Sequence, residues 1–296
     1  MFNITELLKN EISVWEQLKN SAKPVVLYGM GDGADKVLAA FDRYGIKASA
    51  VIASDDFVRG QKFHGFTVKK LSDVEAELGD VIIALCFASQ LPDVMAHITK
   101  ISEKHETLVP SVPVFGDRLF DGDFITENKE QIESAYSLLA DDLSKKVYEN
   151  LLKFYFTGRI DLLPPVTTDK DEAFANILNL GENESYVDLG AYNGDTIDEF
   201  LHYTNGKYKR IIAFEPNAKN FEKLKLHCKG MANVSLWQLG SYSKNTELIF
   251  NNKAGRNSAI ADKGVATKVA TVDTILCGMA AGYIKADVEG ADMETL

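Results

Sequence analysis

The chain has 296 residues, 46% hydrophobic and 25% charged, a composition typical of globular proteins with one large core or two medium-sized ones. Its formal net charge of -11 gives a negative overall field that repels a phosphate backbone, so a nucleic acid partner is not expected. The 3 cysteines, Cys86, Cys228 and Cys277, form no C-x-x-C pair, and neither a disulfide framework nor a zinc site is predicted.

The N-terminal segment lacks the features of an export signal. It has no basic start followed by a continuous apolar core, which a signal peptide would show. No segment approaches the ~20 consecutive apolar residues that cross a bilayer. We therefore expect a cytoplasmic protein without a membrane span.

The first part of the chain, residues 1–120, predicts a Rossmann-like domain. Apolar residues at helical spacing over residues 5–20 indicate a leading amphipathic helix. Buried strands are predicted in KPVVLYG, KASAVIAS and GDVIIALC, with helices between them, and this alternation favours a parallel sheet. A further strand in TLVPSVPVF would lie at the edge of the sheet or be absent, because Pro110 and Pro113 interrupt it.

A glycine turn follows the first of these strands. YGMGDGADKV carries Gly29, Gly31 and Gly33, and IASDD places Asp55 and Asp56 after the next strand. A dinucleotide site has a similar pattern, which leaves an NAD(P)-dependent oxidoreductase open as one alternative function. The following segment, GQKFHGFTVKKLSDV, resembles part of the N-terminal Rossmann-like domains of some sugar-modifying and sugar-acyl-transferring enzymes of surface glycan synthesis. That resemblance leaves open a non-catalytic sugar-nucleotide-binding protein, or a domain with a purely structural role.

The second half of the chain predicts another doubly wound α/β domain. A strand-poor helical connector is expected over residues 121–165, ending at Pro164 and Pro165. Residues 166–296 then carry predicted strands in SYVDLG, KRIIAFEP, NVSLWQLG and YIKADVEG, and a hairpin excursion before the last of them. A sheet that ends at its fourth strand would leave a long apolar edge, so we expect this domain to be C-terminally incomplete in the present chain.

Acidic and glycine residues collect where the first two strands of this second sheet end. Asp188, Gly190 and Gly194 follow the first strand, and Glu215 ends the second. Ligands of doubly wound sheets bind beyond the carboxyl ends of the strands, and glycine lets the backbone approach them closely. An acid after each strand suits a ligand ammonium and a ribose diol better than a phosphate. These features favour S-adenosylmethionine, which is cationic and bears a ribose.

A second acidic motif ends the predicted fourth strand. Alternation in YIKADVEG places Lys285, Asp287 and Glu289 on one side of the strand, where the two carboxylates would face the same cleft as Asp188. They are predicted to be catalytic: one could orient or deprotonate an acceptor hydroxyl, or the pair could hold a divalent cation that polarises it. A solvated strand end is the alternative for such a pair. The 5 histidines show no metal spacing, and no resident metal is predicted.

Over residues 184–296, a series of blocks resembles the FkbM family of class I methyltransferases: YVDLGAYNGDTIDEF, IIAFEPN, VSLWQLGSYSKNTELIF, NSAI, VATVDTIL and YIKADVEGADMETL. The resemblance implies a Rossmann-like methyltransferase fold, S-adenosylmethionine as donor and O-methylation, often of sugars. It also assigns site residues by position: Asp188, Gly190 and Gly194 to the methionine end, Glu215 to the ribose, and Ser241 to the adenine neighbourhood.

Asp287 and Glu289 fall on the D-x-E block of that family. Family members continue past ADMETL with further strands that complete the sheet. The resulting hypothesis is an S-adenosylmethionine-dependent O-methyltransferase acting on a hydroxyl of a sugar or glycan intermediate. Its expected partner is a small-molecule or glycan substrate, and a homodimer is left open.

Overall fold

The computed structural model describes residues 2–89, 91–113, 117–250, 264–288 and 291–295. The chain divides into two compact units, Met1–Thr167 and Thr168–Leu296. Among the described residues, no helix combines the length and the apolar character that crossing a bilayer requires.

The first unit is built on a parallel sheet. Its strands are β1 (Val25–Tyr28), β2 (Ala48–Ile52), β3 (Lys62–Phe63), β4 (Phe66–Thr67), β5 (Ile82–Leu85) and β6 (Glu106–Leu108). Its helices are α1 (Ile4–Leu8), α2 (Val14–Lys19), α3 (Asp32–Tyr44), α4 (Leu71–Leu78), α5 (Pro92–Ser102), α6 (Gly122–Glu127), α7 (Lys129–Leu138) and α8 (Asp142–Thr157). The main sheet has the order β2-β1-β5-β6 with every neighbouring pair parallel, while β3 and β4 pair separately.

Helices cover both faces of this sheet. Side chains of α2 and α3, among them Trp15 and Phe41, pack on one face. Val74 of α4 and Ile98 of α5 pack on the other. The predicted edge strand is confirmed but short, because it ends at Leu108, before Pro110.

The prediction of one continuous leading helix is wrong. The segment forms two helices, α1 and α2, and Ser13 caps the second by accepting a hydrogen bond from the amide of Glu16 at 3.3 Å. The two helices serve different cores: Ile4 packs with residues of α6, α7 and α8, whereas Trp15 packs against the sheet. The chain breaks between them because a single straight helix of this length cannot bury both apolar segments.

The second unit contains another parallel sheet. Its strands are β7 (Ser185–Leu189), β8 (Arg210–Phe214), β9 (Val234–Trp237), β10 (Gly240–Ser241), β11 (Thr246–Phe250), β12 (Val265–Ala270) and β13 (Tyr283–Ala286). Its helices are α9 (Lys170–Glu172), which continues into a π-helical turn at Ala173–Leu178, α10 (Asp195–Tyr203), α11 (Ala218–His227), α12 (Val272–Leu276) and α13 (Asp292–Thr295). The four predicted strands pair in the order β13-β7-β8-β9, all parallel.

This second sheet is also covered on both faces. Ile197 of α10 and Leu224 of α11 pack on one face, and Leu276 of α12 packs on the other. The predicted hairpin is present as the antiparallel pair of β11 and β12, which forms a small sheet with β10. Two parallel sheets with helices on both faces confirm the predicted α/β fold class.

Candidate functional site

The carboxyl ends of β7, β8 and β13 form the candidate site. From β7 the chain proceeds to β8 and β9 on one side, and it returns to the other side of β7 at β13. The strand order therefore reverses between β7 and β13, which is where doubly wound sheets bind their ligands. The glycine turn and the second acidic motif meet at this point.

Gly190 begins the turn after β7 and contacts the end of β13. Its φ of +86° is left-handed, and a Cβ at this position would lie 2.0 Å from the carbonyl oxygen of Asp287. The amide of Asp287 in turn donates to the carbonyl of Leu189 at 2.9 Å. Only a residue without a side chain allows the two backbones to approach this closely.

Gly194 precedes α10 and has a φ of +98°. A Cβ here would lie 2.6 Å from Cδ2 of His227, at the end of α11. His227 also pairs with Asp198 of α10, Nε2 to Oδ1 at 2.9 Å. Packing between α10 and α11 therefore explains this glycine, and its contact with a ligand stays a prediction.

Asp188 lies beneath the glycine turn and is 0% exposed. Its Oδ2 accepts a hydrogen bond of 2.5 Å from the hydroxyl of Thr196, and Nζ of Lys285 lies 3.2 Å from its Oδ1. Burial raises the pKa of the Asp188 carboxyl above its ordinary value, while the Lys285 charge and the Thr196 hydroxyl act in the opposite direction. The carboxylate is thus enclosed by groups of the protein.

The sequence interpretation gave Lys285 no role at this site. The parallel register of β13 and β7 places Lys285 directly opposite Asp188, and its ammonium also donates to the carbonyl of Gly190 at 2.7 Å. The signal was present in the alternation of YIKADVEG, which put a lysine on the side of the strand that faces Asp188. Recognising it required the pairing of the first and fourth strands.

Glu215, directly after β8, is 6% exposed. Its Oε2 accepts from the amide of Tyr192 at 2.9 Å and its Oε1 accepts from the amide of Asn217 at 2.8 Å. Tyr192 belongs to the glycine turn and has a φ of +48°. The carboxylate is therefore fixed beside the turn, and the structure brings Asp188, Gly190 and Glu215 to one edge of the sheet.

Ser241 lies in β10 and is 3% exposed. Its hydroxyl is 3.1 Å from the hydroxyl of Thr295. The preceding residue, Gly240, is close to Pro216, since a Cβ built on it would lie 3.9 Å from the Cβ of that proline. Ser241 is thus placed next to the loop that follows Glu215.

Asp287 follows β13 with an exposed side chain. The other predicted catalytic residue, Glu289, lies outside the described residues. Among the residues that the structure describes, no group of three or more His, Cys, Asp or Glu side chains is placed to hold a metal ion.

In the glycine motif of the first unit, Gly33 is explained by packing. A Cβ on Gly33 would lie 2.1 Å from the carbonyl oxygen of Cys86, which follows β5. Asp55 and Asp56 lie in an exposed turn after β2, and Asp55 pairs with Lys70 at 3.4 Å. Packing thus accounts for Gly33, whereas a Cβ on Gly31 would meet nothing within 4 Å.

Comparisons with known proteins agree with this architecture. Residues 188–296 match the family model of the methyltransferase FkbM domain. The crystal structure of methyltransferase FkbM from Methylobacillus flagellatus KT is similar to the whole chain, with a TM-score of 0.63 and 15% sequence identity, over 100% of this chain and 78% of that one. No curated protein sequence matches the chain significantly. The fold is therefore that of a Rossmann-like methyltransferase, and the family match begins at Asp188.

Proposed function

We propose that the chain is an S-adenosylmethionine-dependent O-methyltransferase whose reaction takes place in the second unit. The observation that carries the proposal is the placement of the buried carboxylates Asp188 and Glu215 around one glycine turn, at the reversal point of a parallel sheet. The match of residues 188–296 to the methyltransferase FkbM domain supports it. The acceptor class, a hydroxyl of a sugar or glycan intermediate, follows from the FkbM resemblance of the sequence blocks.

The polar groups of the site fit a nucleoside without phosphates. Glu215 directly follows β8, the position at which doubly wound proteins bind the ribose hydroxyls of a cofactor, and two backbone amides hold its carboxylate there. A carboxylate at this place repels a phosphate and accepts hydrogen bonds from a diol. We assign Glu215 to the ribose, Ser241 to the adenine neighbourhood, and Gly190, Gly194 and Asp188 to the methionine end.

Methyl transfer requires few chemical groups from the protein. When bound, the cofactor supplies a methyl group that is already activated for transfer. The chain then has to align the two reactants and receive one proton from the acceptor hydroxyl. The exposed carboxylate of Asp287, at the end of β13, is our candidate for that base. Glu289 is proposed with it on the basis of the sequence motif.

Calorimetric titration with S-adenosylhomocysteine tests this assignment. The wild type is expected to bind it, and Glu215→Ala to bind about 100-fold more weakly, because a charged hydrogen-bond acceptor is lost from a buried site. Asp287→Ala is expected to bind like the wild type and to lose methyl transfer to a panel of sugar acceptors. Glu222→Ala, at an exposed position of α11, is the matched control. Binding of NADH in place of S-adenosylhomocysteine would contradict the proposal.

A further inference from the structure

The charge partner of Asp188 is supplied by the protein. The side chain of Lys285 is 18% exposed and that of Asp188 is 0% exposed, so both charges are largely withdrawn from water. The ammonium lies 3.2 Å from Oδ1 of the carboxylate, so the charge of Asp188 is paired within the protein. The same ammonium donates to the carbonyl of Gly190 at 2.7 Å.

These two contacts join β13 to β7 and to the glycine turn that follows it. Gly190 is left-handed and its Cα approaches the backbone of Asp287 closely, so its conformation depends on the position of β13. Removing one member of a buried ion pair leaves an uncompensated charge, whereas replacing both members by neutral groups of similar size is often tolerated. Loss of Lys285 alone should therefore disturb the turn more than loss of both charges together.

We propose that Lys285 is a positioning residue of this site: it neutralises Asp188 and holds Gly190, and Asp188 acts on the cofactor through this pair. The inference rests on the proposed function, since it takes an S-adenosyl compound as the ligand. In this proposal Asp188 does not contact the ligand ammonium directly. Its ion pair with Lys285 fixes the conformation of the glycine turn instead.

Four proteins distinguish an internal ion pair from a direct contact between Asp188 and the ligand ammonium. They are the wild type, Lys285→Met, Asp188→Asn and the double variant. S-adenosylhomocysteine affinity is measured by calorimetry, and thermal unfolding shows that each variant is folded. Lys285→Met is expected to bind at least about 10-fold more weakly than the wild type, and the double variant to regain at least about 10-fold over Lys285→Met. A double variant that binds no more tightly than Lys285→Met overturns the inference.

The pH dependence of binding supplies a second readout. In Lys285→Met the unpaired carboxyl of Asp188 is neutralised by a proton, so affinity should rise at least about 5-fold as the pH falls from about 8 to about 5. The other groups that face Asp188 are Tyr186 on its own strand, Tyr283 on β13 and Cys228 after α11. Burial raises the pKa of each of them, so they stay neutral in this range.

The double variant is the control for the pH profile. Compared with Lys285→Met it lacks only the Asp188 carboxyl, and both variants keep His227 and Asp198. It should show no gain in affinity on acidification beyond that of the wild type. An equal gain in both variants would overturn the inference. If the wild type binds S-adenosylhomocysteine and Lys285→Met binds it equally well, the inference alone fails. If the wild type does not bind it, the proposed function fails as well.

Discussion

Gly190 and Gly33 make the same kind of backbone contact in the two units, although Gly190 directly follows β7 with a left-handed φ and Gly33 lies in the first turn of α3. Each follows the first strand of its sheet, and a Cβ on either would meet the carbonyl oxygen of the residue that follows the neighbouring strand, Asp287 at 2.0 Å and Cys86 at 2.1 Å. In both cases the glycine permits two backbones to meet at the reversal of strand order. A glycine at such a contact is therefore required by the packing of this fold, whether or not a ligand binds there.

Gly190→Ala is expected to destabilise the protein by about 3 kcal/mol, because the new Cβ combines a left-handed φ with a collision against backbone. Gly206→Ala is the matched control. It also has a left-handed φ, +73°, but a Cβ there meets nothing within 4 Å, so only about 1 kcal/mol of backbone strain is expected. Urea denaturation measures both values. Equal losses in the two variants would show that the contact with Asp287 is unimportant.

The sequence allowed us to predict that Asp188, Gly190 and Glu215 lie at one edge of the sheet, because each stands at the end of a recognisable strand. It did not identify the pair of Asp188 and Lys285, since that contact depends on which strands are neighbours and in which register. It also did not reveal that Glu215 is held by the amide of Tyr192, because backbone donors leave no mark in a sequence. The position of a residue at the end of a strand can be predicted from the local sequence. Its contact partners depend on how the strands are arranged in the sheet.

At the scale of elements, Asp121 connects α3 with α6 in the first unit. Its Oδ2 accepts from the hydroxyl of Tyr44 at 2.6 Å, and its Oδ1 caps α6 by accepting from the amide of Phe124 at 2.9 Å. Burial alone would raise the pKa of Asp121, but these hydrogen bonds together with the charges of Arg43 and Arg118 outweigh it, and the pKa is lowered. The carboxylate form is thus the one that stabilises the fold.

Tyr44→Phe is expected to lower the free energy of unfolding by about 1–2 kcal/mol at neutral pH, since a hydrogen bond to a buried carboxylate is lost. A lowered carboxyl pKa contributes stability that is complete above the unfolded-state value and is lost as the pH falls through the folded-state value. The difference between variant and wild type should therefore shrink below about pH 4. Urea denaturation at pH 7 and pH 3 measures it, with Tyr155→Phe at an exposed position as control. A difference that is independent of pH would exclude the carboxylate as the partner.

The boundaries of helices and strands were predictable where all apolar residues of a segment pack into the same hydrophobic core. The strands of both sheets were found from short buried segments, and α10 and α11 from the segments between them. The leading segment was misassigned because its helical periodicity is continuous, although Leu8 and Trp15 belong to different cores. Ser13 followed by Glu16 carries the signature of a helix start, and this local signal marks the break better than the periodicity does.

At the scale of the whole molecule, each unit has a parallel sheet with apolar clusters on both faces. Such a unit has the core that a domain needs to fold cooperatively. The proposed cofactor residues all belong to Thr168–Leu296: Asp188, Gly190, Gly194, Glu215 and Ser241. Ligand binding should therefore stabilise one unit selectively.

Scanning calorimetry of the chain is expected to show two transitions, of which S-adenosylhomocysteine raises only the one that belongs to the second unit. At a ligand concentration of 100 times Kd the stabilisation is about 2.7 kcal/mol, which for a unit of this size corresponds to a shift of roughly 10 °C. The isolated segment Met1–Thr167 identifies the other transition, and its melting temperature should not respond to the ligand. Glu215→Ala serves as the control in the full chain: at the same ligand concentration its about 100-fold weaker binding leaves about 0.4 kcal/mol, so the shift should fall to roughly 1–2 °C while the first transition stays in place. A ligand-induced shift in the isolated first unit would mean that this unit carries a binding site of its own.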